Sequence, residues 1–144
     1  MEKMYLNESQ VQDAILDIFR KVFFDNFKPE LIVGLVRGGA IPATYLSHFL
    51  NVPCYLINKD DTFELPPNKR ILVIDDINDT GKALTEVNNV LYNYLGNIRY
   101  ATLVNNQSSS FEVDYSSIDI NKYETPDLWI VFPWETWWTS DKLT

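Results

Sequence analysis

The chain runs Ile71-Leu72-Val73-Ile74-Asp75-Asp76-Ile77-Asn78-Asp79-Thr80-Gly81-Lys82-Ala83 near its midpoint. The first four of these residues are continuously apolar, as is typical of a parallel strand buried on both faces. Two carboxylates follow directly, and small polar residues then lead to a glycine where a helix is predicted to begin. The stretch therefore predicts a strand, a loop and a helix, with acidic side chains at the carboxyl end of the strand.

Apolar runs on either side of this stretch alternate between strand and helix patterns. Apolar side chains recur at every third and fourth position in residues 11–27, which predicts a helix with one buried face, and Asn7 or Ser9 is placed to cap it. Further strands are predicted at 31–36, 53–57, 70–75 and 98–104, and further helices at 41–50 and 81–95. Such alternation indicates an α/β fold with a mostly parallel sheet flanked by helices.

The domain organisation follows from where the alternation stops. After Gln107 the sequence becomes rich in aromatic residues. We expect one domain over 1–144, with a core at about 1–107 and a small C-terminal hood at about 108–144.

Composition restricts the partners of the chain. It has 144 residues and a net charge of −8, which disfavours nucleic acid and anionic membranes as partners. Its one cysteine, Cys54, permits no intramolecular disulfide. No signal-peptide pattern and no apolar run of membrane-spanning length is present. A cytoplasmic protein without nucleic-acid or membrane partners is expected.

The loop after the acidic pair has the residues of a phosphate site. Ligands of parallel sheets bind beyond the carboxyl ends of the strands. Backbone N–H groups at a helix start, with the Thr80 hydroxyl, suit a phosphate monoester, and Lys82 either adds charge or points to solvent. Asp75 and Asp76 suit a polyol, whose hydroxyls donate to carboxylate oxygens. Their alternative role is to end a strand and cap a helix.

The segment from Asp75 to Gly81 resembles the motif of the type I phosphoribosyltransferase family: a hydrophobic strand, two acids, two residues, then Asp-Thr-Gly. This family binds 5-phosphoribosyl-1-pyrophosphate (PRPP) with Mg²⁺. The resemblance implies that Asp75 and Asp76 hold the ribose 2- and 3-hydroxyls, directly or through magnesium-bound water. Asp79 would assist N7 proton transfer of the base, and residues 79–83 would bind the 5-phosphate. The implied PRPP contacts in this motif are Asp75, Asp76, Asn78, Asp79, Thr80, Gly81, Lys82 and Ala83, and the implied catalytic residues are Asp75, Asp76 and Asp79.

A second glycine loop follows the strand at 31–36. Arg37-Gly38-Gly39 alone reads as an ordinary strand-to-helix turn. In the same family an equivalent Arg-Gly-Gly forms the pyrophosphate loop, often with a non-proline cis peptide. The resemblance therefore makes Arg37, Gly38 and Gly39 further PRPP contacts.

The aromatic tail resembles the closing segment of bacterial xanthine-guanine and archaeal purine phosphoribosyltransferases. Trp129 would stack on the base and Ile130 would contact it through its backbone, while Glu135 would help to hold magnesium. Trp137 and Trp138 are instead expected in the core or at a dimer contact.

The sequence departs from these relatives in the base pocket. They carry a lysine soon after the strand before the hood, which reads the 6-oxo group, whereas residues 103–107 contain none. Asn106 and Gln107 are the alternative donors, so the choice among guanine, xanthine and hypoxanthine stays open. The loop at 58–68 is short for the catalytic flap of the family, with Lys59 and Lys69 as candidate phosphate contacts or solvated surface.

The favoured hypothesis is a magnesium-dependent phosphoribosyltransferase that forms a nucleoside monophosphate and pyrophosphate from PRPP and a 6-oxopurine, in purine salvage. One alternative is a regulatory sensor of PRPP or nucleotides with the same fold. Another is a transferase acting on a pyrimidine or other acceptor. The resemblance also implies a homodimer or homotetramer.

Overall fold

The apolar stretch that ends in the paired acids forms the middle strand of the main sheet. The computed structural model describes residues 2–138. Its strands are β1 (Glu2–Tyr5), β2 (Leu31–Leu35), β3 (Cys54–Ile57), β4 (Arg70–Asn78), β5 (Asn97–Asn106), β6 (Tyr115–Ile120) and β7 (Leu128–Val131). Its helices are α1 (Glu8–Phe24), α2 (Ala40–Leu50), α3 (Lys82–Val90) and α4 (Pro133–Thr136). A five-stranded parallel sheet has the order β3-β2-β4-β5-β6, so β4 is central.

Helices cover both faces of this sheet. Ile15 and Ile18 of α1 pack with Leu46 of α2 against one face, in a cluster that includes Ile74. Leu84 and Val87 of α3 pack against the other face, in a cluster that includes Val73. Neighbouring residues of β4 thus enter different clusters, as the alternation of side chains along a strand requires. The predicted α/β fold, with a mostly parallel sheet between helices, is confirmed.

The start of α1 shows why its sequence forms a helix there. The Asn7 side chain accepts a hydrogen bond from the Gln10 backbone N–H at 2.8 Å, and the Gln10 side chain accepts one from the Asn7 backbone N–H at 2.9 Å. This reciprocal pair satisfies two N–H groups that a helix start leaves without partners. Asn7, rather than Ser9, is therefore the cap.

The hood differs from the one expected from sequence. β6 pairs in parallel with β5 and belongs to the main sheet, although the expected core ended near 107. β1 pairs in parallel with β7 in a separate two-stranded sheet. The hood therefore combines the first strand of the chain with β7 and α4, a long-range pairing that local patterns do not reveal.

Helix α3 is shorter than the sequence predicts. It ends at Val90 instead of near residue 95, and the Tyr94 hydroxyl then bonds the backbone of Pro66 and Lys69. The loop between β3 and β4 is mostly exposed, and within it Phe63 and Leu65 are partly buried against the core. None of the helices within residues 2–138 has the length and apolar character needed to cross a membrane.

Candidate active site

The two adjacent acids lie within the last half of β4 rather than beyond its end. Pairing with β5 continues through Asn78, which keeps this segment extended. Because side chains alternate along a strand, Asp75 is on the α3 face and Asp76 is on the face covered by α1 and α2. Two neighbouring residues therefore supply a carboxylate to each side of the sheet edge.

Each carboxylate lines its own cleft. Asp76 lines a cleft of about 840 Å³ with Arg37, Gly38 and Glu135. Asp75 lines a second cleft, of about 330 Å³, which also includes Arg37. Arg37 thus borders both clefts.

Close approach, rather than a special φ angle, requires glycine in the loop after β2. A Cβ on Gly38 would lie 2.1 Å from Oδ2 of Asp76, and one on Gly39 would lie 2.3 Å from the carbonyl oxygen of Ile74. The Val36–Arg37 peptide bond is cis, as the family resemblance implied. The sequence Arg37-Gly38-Gly39 therefore lets one loop pack directly on the acid-bearing strand.

Burial makes the acidic pair resist ionisation. Burial raises the pKa of Asp75 to about 8, and the charge of Asp76 contributes to that rise. Burial also raises the pKa of Asp76, and the charge of Glu135 adds to the effect. A bound cation, or hydroxyl groups that donate to these oxygens, would stabilise the ionised forms. The acidic pair therefore favours a ligand that supplies a cation, hydroxyl groups, or both.

Gly81, the N-cap residue of α3, has no side chain with which to cap the helix. Gly81 has φ +92°, and a Cβ there would lie 2.6 Å from the Phe111 backbone nitrogen. Thr80 Oγ1 accepts from the Lys82 N–H at 3.2 Å, while the Lys82 side chain is exposed. Ala83, in the first turn of α3, lines the same cleft as Asp75. This geometry suits an anion at the helix start.

Asn78 has a structural role that its place in the motif did not show. It is 2% exposed, and its amide nitrogen donates to Asn105 Oδ1 at 3.0 Å and to the Phe111 carbonyl at 2.7 Å. Its amide oxygen accepts from the Ser109 hydroxyl at 2.9 Å. Asn78 therefore ties β4 to the loop after β5, which is itself hydrogen-bonded to the turn at 79–81 through Ser110 and Thr80.

Lys122 is the main residue that sequence reasoning missed. Its ammonium nitrogen lies 2.9 Å from Asp79 Oδ2 and 5.9 Å from the centre of the Trp129 ring. Its backbone N–H donates to Asn106 Oδ1 at 3.0 Å, and the Asn106 amide donates to the Asp79 carbonyl at 2.9 Å. Asp79, Asn106, Lys122 and Trp129 form what we call the base-side cluster. A search for lysine confined to 103–107 could not find it, because Lys122 follows β6.

The hood supplies the remaining predicted contacts. Trp129 is 49% exposed, while Ile130 is 5% exposed. Glu2 N–H donates to the Asp127 carbonyl and Leu6 N–H to the Val131 carbonyl, so odd-numbered residues bond β1 here. In a parallel pair only alternate residues of a strand bond the neighbouring strand. Ile130, which lies opposite Met4, is an even-numbered residue of β7, so its N–H and C=O point away from β1. The hood thus presents an open aromatic face next to outward-pointing backbone groups.

The remaining residues that the sequence analysis singled out lie in other surroundings than predicted, or have other partners. Lys59 lines the Asp75 cleft but pairs with Glu86 at 2.7 Å. Lys69 is exposed and directly precedes β4, at the end of the strand opposite to Asp75, which agrees with its alternative role as solvated surface. Trp137 and Trp138 are 63% and 47% exposed and so lie outside the core.

The loops and the acids at this sheet edge define a phosphoribosyltransferase type of site. Residues 56–141 match the family described as the phosphoribosyl transferase domain. The chain belongs to this phosphoribosyltransferase family and is a transferase enzyme.

Several similar proteins are purine phosphoribosyltransferases. The chain is similar to xanthine-guanine phosphoribosyltransferase of Cereibacter sphaeroides, at 27% identity over 128 residues, covering 77% of this chain and 72% of the relative. It is similar in structure to the purine phosphoribosyltransferase of Pyrococcus horikoshii, with TM-score 0.78, 33% identity and coverage of 93% and 95% of the two chains. The Helicobacter pylori xanthine-guanine-hypoxanthine phosphoribosyltransferase has TM-score 0.81 over 99% of both chains, at 23% identity, and shares the fold.

Proposed function

We propose that this chain transfers the 5-phosphoribosyl group of PRPP to a 6-oxopurine, giving a nucleoside monophosphate and pyrophosphate in purine salvage. The observation that carries this proposal is the arrangement at one sheet edge. On one side of the acidic pair, Gly38 packs against Asp76. On the other side, Lys122 contacts both Asp79 and the Trp129 ring. A pyrophosphate loop and an aromatic base platform thus flank a pair of acids suited to ribose.

Binding of PRPP is divided among the segments at this edge. The 5-phosphate would accept hydrogen bonds from the N–H groups at the start of α3 and from Thr80. The ribose hydroxyls would donate to Asp75 and Asp76, whose raised pKa values show a need for such partners. The pyrophosphate would lie beside Arg37 in the Asp76 cleft. The three groups of PRPP would then be held in one orientation before the base binds.

Bond making and breaking follow from this placement. The C1–oxygen bond to pyrophosphate breaks, and pyrophosphate leaves with the electron pair. The base nitrogen N9 forms a bond to C1, and its N7 proton passes to the Asp79 carboxylate. The carboxylates of Asp75 and Asp76, near the ribose, stabilise the positive charge that develops on the ring.

This set of residues fits a magnesium ion that the protein and the substrate hold together. Within residues 2–138 no three His, Cys, Asp or Glu side chains are grouped to hold a metal ion. Mg²⁺ often takes only one or two protein carboxylates and completes its shell with phosphates and water. Asp76, with Glu135 in the same cleft, would hold it, and Asp75 would contact the ribose hydroxyls directly or through water bound to the ion. The bound ion would neutralise the charge of the leaving pyrophosphate.

The test is turnover together with PRPP binding. Calorimetry with PRPP and Mg²⁺ should show binding, and hypoxanthine, guanine or xanthine should then release pyrophosphate. Asp79→Asn should lower kcat by about 100-fold or more while PRPP binding is kept, because it removes the proton acceptor. Failure to bind PRPP would overturn the proposal. Binding without turnover would favour the sensor, and turnover of uracil or orotate alone would favour a pyrimidine acceptor.

The assembly is proposed to be a homodimer formed through α2. Ile41, Tyr45 and Phe49 lie one and two turns apart on this helix and are 37%, 40% and 50% exposed. Phe49 also packs on Phe19 of α1 with ring centres 5.4 Å apart, which extends the apolar stripe. A continuous apolar surface of this kind is typical of an interface between subunits.

A further inference from the structure

We infer that Lys122 selects the base, by donating a hydrogen bond from its ammonium group to the 6-oxo oxygen while Asp79 accepts the neighbouring N7 proton. This inference rests on the proposed function. It assigns the contact to a residue that follows β6, whereas the segment after β5, residues 103–107, contains no lysine. The chain would thus place a lysine at the same edge of the base from a different loop.

The position of Lys122 is set by its backbone. Its N–H donates to the buried Asn106 side chain at 3.0 Å. The preceding Asn121 begins a turn, because its carbonyl accepts from the N–H groups of Glu124 and Thr125. Asn106 in turn bonds the Asp79 backbone. The loop that carries Lys122 is therefore joined through one amide to the loop that carries Asp79.

The side chain of Lys122 points into the base-side cluster rather than into solvent. It is 19% exposed, against 34% for the Asp79 side chain that it contacts. Its ammonium lies over the Trp129 ring, 5.9 Å from the ring centre, so a base bound on that face of the ring would lie beside the ammonium. Asn106 is a poorer candidate for the base contact, because its oxygen already accepts from Lys122 and from Ser108.

Lys122 and Asp79 are complementary to the hydrogen-bonding groups on one edge of a 6-oxopurine. A cationic donor and an anionic acceptor lie 2.9 Å apart. A 6-oxopurine presents on one edge an acceptor, its O6, beside a donor, its N7–H. A 6-aminopurine instead turns N–H groups toward the ammonium, so that two donors face each other. A site built to donate to a carbonyl rejects an analogue that lacks it, because the donor then stays unpaired.

A simpler role for Lys122 would be to orient Asp79 through their ion pair alone. That role would make the loss of Lys122 affect all bases equally. A role in reading O6 makes the loss specific to 6-oxopurines. The two roles are therefore distinguished by comparing ligands that differ only at position 6.

The experiment measures inosine and adenosine monophosphate binding by calorimetry in wild type and Lys122→Met. We expect about 100-fold weaker binding of the inosine nucleotide, with a change of less than about threefold for the adenosine nucleotide, since a charged hydrogen bond is lost only in the first. The kcat/KM for hypoxanthine should fall in parallel, mainly through KM. Lys28→Met, which removes a lysine at the opposite end of the sheet, should change neither affinity.

A second variant separates the loss of the hydrogen bond from an effect of misfolding. Lys122→Gln keeps a neutral donor, so its inosine nucleotide affinity should lie between those of wild type and Lys122→Met. Equal losses for both nucleotides in both variants, or no loss for either, would overturn the inference while leaving the proposed function standing. A wild-type protein that binds neither nucleotide and turns over no base would overturn both.

Discussion

At the scale of single residues, the acidic pair combines adjacency in sequence with separation in space. Asp75 and Asp76 are on opposite faces of β4, yet burial raises the pKa of both carboxyl groups, and the charge of Asp76 adds to the rise at Asp75. Their carboxylates are held by backbone N–H groups, from Asp76 at 2.8 Å and from Ile77 at 2.7 Å. The free site therefore keeps a proton on Asp75 up to about pH 8 unless a ligand or cation binds.

The metal-free, ligand-free protein should lose stability as pH rises from about 4 to about 8. The pKa of Asp75 is raised in the folded state from 3.8 to about 8. The folded chain therefore keeps a proton that the unfolded chain releases in this window, so the free energy of unfolding falls as pH increases. Thermal melts in EDTA should show a Tm lower at pH 8 than at pH 5 by roughly 5 °C or more.

Two variants isolate this effect. Asp75→Asn should flatten the dependence of Tm on pH, because it removes the titrating group. Asp13→Asn, which removes one exposed carboxylate from α1, should leave the slope close to that of wild type. An unchanged slope in Asp75→Asn would contradict the assignment.

At the scale of elements, the loop after β5 supports the proposed phosphate loop, which consists of residues 79–83. Ser110 donates from its N–H and its hydroxyl to the Thr80 carbonyl, at 3.1 and 2.9 Å. Asn78 joins the same loop from within β4 through buried hydrogen bonds. The turn that precedes α3 is therefore held from outside, by a segment distant in sequence, rather than by a cap of its own.

Asn78→Ala should destabilise the protein by about 2 kcal/mol. The substitution leaves the Asn105 oxygen and the Phe111 carbonyl without a donor in a buried setting, and such losses cost roughly 1–3 kcal/mol. Urea unfolding should show the lower midpoint, and PRPP affinity should fall as the phosphate loop loosens. Asn93→Ala, at an exposed position after α3, should change both quantities little. Full PRPP affinity in Asn78→Ala would show that the loop does not depend on this support.

At the scale of the whole molecule, α2 connects the active site to the proposed subunit contact. Its first turn follows Gly38 and Gly39, and Ile41 lines the Asp76 cleft. Further along, Tyr45 and Phe49 form the exposed apolar stripe. Docking of a second subunit on this stripe would restrain the helix that begins at the pyrophosphate loop.

Phe49→Glu should convert the proposed dimer to monomer. A charge at the centre of an apolar interface leaves an unpaired carboxylate in a desolvated position, which opposes association strongly. Sedimentation velocity should show one species of about half the wild-type mass. Tyr92→Glu, at an 84% exposed position beyond α3, should keep the wild-type mass. A wild type that is monomeric, or a Phe49→Glu that stays dimeric, would refute this contact.

The sequence by itself determined the order of strands and helices in the core and the presence of both glycine loops. The order of elements rests on short-range rules, since an apolar run such as 71–74 is typical of a strand buried on both faces. The glycines can be read from the sequence, but the reason for Gly38, its closeness to Asp76, is a tertiary contact. Only the tertiary structure decided the base side of the site. Pairing of β6 with β5 and of β1 with β7 brings Lys122 and Trp129 to Asp79. Such pairings depend on contacts between distant segments, whose chain separation leaves no local pattern.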